Sequence, residues 1–175
     1  VDHLAFRFSE KHGVPLPEDP VVWQRLRDAA EETKIALSEA ERASARVPYL
    51  CRTDDGRTID LEVEVTRAEL DALTERLVDR SLEVCREVLA AKGLTTSDVQ
   101  EVLLVGGQSR MPLVWRKVAQ AFGREPNRSV HPDEAVAIGA ALLADSAARI
   151  DSVVLIDVLA MGIGVGLPGG RMATL

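Results

Sequence analysis

Residues 103–112 read Leu-Leu-Val-Gly-Gly-Gln-Ser-Arg-Met-Pro, an apolar run that stops at a glycine pair and then meets a proline opening an amphipathic segment. That order predicts strand, tight turn and helix, the unit from which α/β folds are built. Two consecutive glycines let a backbone approach a ligand closely, and the helix that follows aims free N–H groups at the same place. A nucleotide fits such a turn. A purely structural strand-to-helix turn fits it equally well, so the spacing alone leaves both readings open. Further on, His131-Pro132-Asp133-Glu134-Ala135-Val136-Ala137-Ile138-Gly139 predicts the start of another helix over residues 133–148, with Gly139 permitting close packing.

The rest of the chain alternates helix and hairpin signals. Residues 3–12 read as the tail of a helix stopped by Gly13 and a proline-bearing loop. Asp19-Pro20 then starts a helix, with an acceptor at the cap and proline in the first turn. Trp23, Leu26, Ala30 and Leu37 share one face of it, and Glu31, Lys34 and Ser38 form a polar stripe alongside. Residues 46–52 and 57–65 flank Asp54-Asp55-Gly56, and the second run alternates strictly, which predicts a half-exposed hairpin. Thr66 and Glu69 form a capping box before a long helical stretch whose buried side is marked by Leu70, Leu73, Leu77, Leu82 and Leu89. A break near residues 74–80 would divide two subdomains. Strand 101–105, a helix from Pro112 to Phe122 closed by Gly123, and short apolar strands at 153–156 and 163–167 complete the reading.

Composition narrows the class. With 46% hydrophobic and 28% charged residues over 175 positions, the chain reads as globular. Aromatics supply only 3%, so Leu, Val, Ala and Ile must fill the core. The net charge of −7 argues against a phosphate-bound nucleic-acid partner. No apolar run reaches the length of a membrane span, so a membrane partner is not expected. Cys51 and Cys85 lie far apart and read as small hydrophobes, His3, His12 and His131 are scattered without zinc-ligand spacing, and a cytoplasmic location is the natural expectation. The chain opens on Val1 inside a predicted helix, which predicts a piece of a longer protein.

The wording of the segments goes further than their pattern. Leu-Val-Gly-Gly-Gln-Ser-Arg-Met-Pro followed by Pro-Asp-Glu-Ala-Val-Ala-Ile-Gly-Ala-Ala resembles the DnaK-type 70 kDa heat-shock chaperones. The stretch from Arg25 to Ser38, Arg-Leu-Arg-Asp-Ala-Ala-Glu-Glu-Thr-Lys-Ile-Ala-Leu-Ser, is similar to that family's adenosine-binding helix. Val153, Val154, Leu155, Ile156, Asp157 and Val158 resemble its interdomain linker. The resemblance implies lobe II of an actin-like (ribonuclease H-like) ATPase domain, α/β, with a peripheral α+β subdomain. The implied divisions are a peripheral subdomain at 1–74, a core subdomain at 75–148, the linker at 149–158 and the first strand region of a substrate-binding domain at 159–175. The match drifts in that last stretch, where Leu159-Ala160-Met161-Gly162 replaces the family's Thr-Pro-Leu-Ser.

The same resemblance assigns chemistry to residues. It implies that Glu31, Lys34, Ser38, Gly106, Gly107, Gln108, Arg110, Met111 and Asp133 line the adenosine pocket for ATP or ADP, with Arg110 able to stack on the base. Taken alone, Glu31 and Lys34 are a solvated i,i+3 pair, and Asp133 is an acidic residue favourable to a helix dipole. His131 stands where the family usually has asparagine. The family's phosphate loops and catalytic Lys, Asp and Thr residues lie upstream of the position matching Val1. Half of a nucleotide site is therefore expected, without catalytic residues, and Mg²⁺ is expected only in a full-length parent. That parent would be a stress-response, protein-folding chaperone, with J-domain co-chaperones, nucleotide exchange factors and unfolded polypeptides as implied partners.

Two alternatives accompany this reading. One is an actin-like-fold sugar or acetate kinase, which shares Gly-Gly before a helix but not the Lys34–Ser38 helix or the hydrophobic linker. The other is an interaction module that has lost nucleotide binding. Strand 102–105 would lie beside strands from upstream of Val1, so its open edge predicts pairing with 153–158 or 163–167, within the chain or in a strand-swapped homodimer.

Overall fold

The computed structural model describes residues 1–53, 56–129, 131–149, 164–167 and 171–174. The chain divides into two units, Val1–Asp133 and Glu134–Leu175. The first unit opens with α1 (Asp2–His12) and α2 (Pro20–Glu39). In α1, Leu4 and Phe8 lie one turn apart and are buried, and Gly13 ends the helix in the left-handed conformation while its N–H bonds Ser9 O. Asp19 caps α2 by accepting from the Val21 N–H at 2.8 Å. The buried face of α2 is Val22, Leu26, Ala29, Thr33 and Leu37; Leu26 and Leu37 are as the sequence reading gives, whereas Trp23 and Ala30 are only partly covered and their neighbours Val22 and Ala29 are buried instead. Thr33 is accommodated because its hydroxyl donates to the Ala29 carbonyl at 2.7 Å.

The hairpin of β1 (Arg42–Arg52) and β2 (Thr58–Thr66) is antiparallel, with Arg42 opposite Thr66 and Arg52 opposite Thr58. It starts four residues earlier than the sequence reading gives. Leu61, Val63 and Val65 are buried, as the alternation predicts, while Glu62 and Glu64 face out to Arg46 and Arg42. The ladder slips between Val47 and Cys51, which turns Leu50 into the core and sets Tyr49 at a φ of 50°. Three bonds hold that bulge: the Arg25 guanidinium donates to Tyr49 O at 2.7 Å and Pro48 O at 2.5 Å, and Tyr49 N–H donates to Asp60 Oδ1 at 2.6 Å. The core of α1, α2 and the hairpin is built from Leu4, Phe8, Leu26, Leu37, Leu50 and Leu61, with aliphatic neighbours around them.

Helix α3 (Arg67–Ala90) begins at the capping box, where Thr66 N–H donates to Glu69 Oε2 at 2.7 Å and Glu69 N–H donates to Thr66 Oγ1 at 3.2 Å. It runs unbroken through residues 74–80, where the sequence allowed a break. Leu73 and Leu77 are exposed, at 55% and 69%, and the buried positions are Val78 and Leu82. The helix serves two neighbours from two faces. Leu70 packs against the hairpin core, whereas Val78 and Leu82 are buried further along the helix, and α3 also packs against α4 (Pro112–Phe122). Lys117 of α4 bridges Glu75 at 2.7 Å and Asp79 at 2.9 Å, and Arg116 reaches Asp71 at 3.0 Å.

Between these helices lie two short 3-10 turns, Thr96–Asp98 and Gly107–Arg110. Residues 101–105 do not form the predicted strand. They make one parallel bridge, Leu103 to Asn127, and Leu103 and Val105 stand 50% and 52% exposed. A strand needs a neighbour to satisfy its ladder, and among the described residues Asn127 is the neighbour this segment has. In the second unit, α5 (Ala135–Arg149) starts two residues later than predicted. The last strands, β3 (Gly164–Leu167) and β4 (Arg171–Thr174), pair antiparallel. One of the two segments expected to be spare thus has a partner of its own. The other, 153–158, lies outside the described residues. Within its own unit, Gly139 shows no close approach: a Cβ there meets no atom within 4 Å.

Candidate nucleotide site

The C-terminal half of α2 forms one wall of a cavity of about 1040 Å³, and the Gly107–Arg110 turn, the start of α4 and the loop before Asp133 form the other. All of it belongs to the first unit. From α2 come Glu31, Lys34, Ile35, Ser38 and Glu39, which recur at three- and four-residue spacing along one helix edge. Lys34 Nζ lies 2.6 Å from Glu31 Oε2, so the pair is both a surface ion pair and part of the wall.

The opposite wall depends on Gly106. Its φ of 85° and ψ of 159° are costly for any residue with a Cβ, and its N–H donates to Pro132 O at 2.9 Å, tying the turn to the 131–133 segment. The Ser109 hydroxyl closes the turn by donating to Gly106 O at 2.6 Å. A Cβ on Gly107 would meet nothing within 4 Å, so that backbone is open to a ligand. Arg110 pairs with Asp133 and has His131 Nε2 3.5 Å from its Nη2, so two polar segments of the wall are joined through one guanidinium. Trp115 of α4 donates its indole N–H to Ser109 O at 2.5 Å, and the Arg128 guanidinium carbon lies 4.5 Å from its ring centroid.

Seven of the nine residues expected at the adenosine pocket line this cavity: Glu31, Lys34, Ser38, Gly107, Gln108, Arg110 and Asp133. Two do not. Gly106 shapes the turn from beneath. Met111 is only 5% exposed, because an apolar side chain at the start of α4 gains more from burial than from a wet wall. The sequence reading missed Ile35, Glu39, Ser109, Pro112, Trp115, Arg116, Arg128 and Pro132. Trp115 carried a signal, being one of two tryptophans in an aromatic-poor chain. Arg128 carried none, since a lone arginine in a loop has no pattern.

Clear pKa displacements lie away from the cavity. The Thr66 N–H and hydroxyl hold the Glu69 carboxyl below the usual range, and Thr95 does the same for Asp98. Glu75 and Asp79 hold Lys117 above its ordinary value, and burial raises the Cys51 thiol. Among the described residues no group of three or more His, Cys, Asp or Glu is placed to hold a metal ion, and no helix is long and apolar enough to cross a membrane. What the cavity offers is recognition: an open glycine backbone, an amphipathic helix edge and fixed guanidinium groups suit a planar base and its polar edges.

The family described as Hsp70 protein matches residues 1–175. Its members share the actin-like ATPase fold, and the mixed α/β composition seen here accords with it. The match covers every residue from Val1 to Leu175, and the chain belongs to the Hsp70 protein family.

Proposed function

We propose that this cavity binds the adenosine end of ATP or ADP, and that the chain forms lobe II of an Hsp70 nucleotide-binding domain. Hsp70 proteins are chaperones that bind ATP and ADP and work with co-chaperones on client polypeptides. The observation that carries the reading is the meeting of Lys34 and Ser38 from α2 with Gly107 and Arg110, about 70 residues further on, around one cavity. A solvated helix edge would not require that juxtaposition. In this reading residues 1–74 are the peripheral subdomain, 75–148 the core subdomain and 153–158 the linker that communicates with a substrate-binding domain. J-domain partners and exchange factors act on the same assembly. This chain contributes the adenosine half of the site and no catalytic group, so it does not turn over ATP alone.

Titration calorimetry with ADP tests the assignment. Binding is expected, in the weak range that half a site provides, and Lys34→Ala and Arg110→Ala each weaken it. Wild-type affinity in both variants would overturn it. So would phosphate release from ATP above background that a substitution in this chain abolishes, because turnover needs groups that position water and stabilise the transferring phosphoryl.

A further inference from the structure

The Gly107–Arg110 turn carries one wall of the cavity, with Gly107, Gln108, Ser109 and Arg110 all lining it. Its bonds follow a three-residue step: Ser109 N–H donates to Gly106 O at 3.0 Å, and Met111 N–H donates to Gln108 O at 3.2 Å. For Ser109 O the donor at that step is residue 112, and Pro112 has no N–H. Ser109 is only 6% exposed, and an acceptor left unmet in such a place is costly. The donor comes instead from a side chain. Trp115, in the first turn of α4, brings its indole N–H to 2.5 Å from Ser109 O. Proline suits the start of α4 but strips the turn of a bond, and Trp115 restores it.

We propose that Trp115 is a positioning residue for the adenosine wall. Its N–H latches the turn to α4 and so holds the Gly107 backbone and the Arg110 side chain where a nucleoside meets them. The effect runs through Ser109 O and is carried by the donor, not by the area of the ring. A preformed wall spares the ligand the cost of ordering the turn, which is how such a latch contributes to affinity. The identity of the ligand as an adenine nucleotide rests on the proposed function; the latch does not. Because the turn serves the adenosine end, ADP and adenosine should depend on Trp115 by one factor.

Two variants of the whole chain separate the donor from the ring. Trp115→Phe keeps an aromatic ring and removes the N–H, whereas Trp115→Gln removes the ring and keeps an N–H on a side chain of similar reach. In the ligand-free chain, hydrogen exchange at the Ser109 and Met111 amides should quicken about fivefold in Trp115→Phe and stay near wild type in Trp115→Gln. The amides of β2 should be unchanged in both. ADP and adenosine affinities should each fall about fivefold in Trp115→Phe, the worth of one neutral hydrogen bond, and recover in Trp115→Gln. Should the wild type bind neither ligand while exchange follows this order, the nucleotide assignment falls and the latch stands. If Trp115→Phe does not fold, Trp115→Gln decides alone: near-wild-type exchange at Ser109 and Met111 supports the latch, and loss of their protection overturns it. Trp115→Phe matching wild type, equal losses in the two variants, or a parallel rise in exchange across β2 would each overturn the proposal.

Discussion

The α1–α2–hairpin region and the 101–105 segment use the same kind of residues and reach opposite ends. Both are rich in Leu and Val. In the first, Leu26, Leu37, Leu50 and Leu61 are nearly or fully buried; in the second, Leu103 and Val105 are half exposed. The difference is not in local propensity. The hairpin finds its ladder partner six residues away and its cover in α2, whereas residues 101–105 meet one bridging residue, Asn127. Hydrophobic pattern states that a segment seeks a neighbour, and the remaining chain decides whether the segment receives one.

The sharpest way to break this comparison is to truncate one leucine in each region. Leu26→Ala should cost roughly 2–5 kcal/mol in urea unfolding, because a buried leucine leaves both a transfer loss and a cavity. Leu103→Ala should cost well under about 1 kcal/mol, as exposed substitutions usually do. Equal losses would mean that 101–105 is packed after all.

A smaller effect is expected where the hairpin meets α3. Thr66→Ala removes the cap that joins hairpin to α3 and should cost about 1 kcal/mol at neutral pH. It should also change the acid limb. Thr66 lowers the folded-state pKa of Glu69, so the stability this provides is present above the unfolded value near 4.5 and is lost as pH falls through the lower folded value. The stability difference between wild type and variant should therefore shrink below pH 4.5, which acid titrations of both proteins would show.

The smallest effect lies at α4. Glu75 and Asp79 raise the folded-state pKa of Lys117, so its contribution is complete below the ordinary value of 10.5 and fades as pH rises through the higher folded value. Lys117→Met should thus lose a little stability near neutrality and converge with wild type under strongly alkaline conditions. A gap that persists unchanged at the highest pH would place the effect in packing instead.

How far the sequence reached follows the same division. Features settled within a few residues were legible: the Asp19 cap, the Thr66–Glu69 box, the alternation of β2, and the glycine turn at 106–107. Seven of the nine residues expected at the site share one cavity, and they lie on a helix edge and a loop whose wording matches a family's motifs. Features set by distant neighbours were not. The leucine stripe of α3 placed Leu82 in the buried side but gave no sign that Val78 is buried while Leu73 and Leu77 face out. Met111 read as a wall residue because the family resemblance assigns it there, and it is buried instead. Trp115 and Arg128 meet only after the loop folds back.

Amide and side-chain chemical-shift mapping with ADP addresses the central claim, that α2 and the Gly-Gly turn form one adenosine site. The account predicts saturable shifts at Lys34 and Ser38 on one wall and at Gly107 and Arg110 on the other, following a single binding curve. Shifts confined to one wall, shifts only elsewhere, or none at millimolar ADP would contradict it.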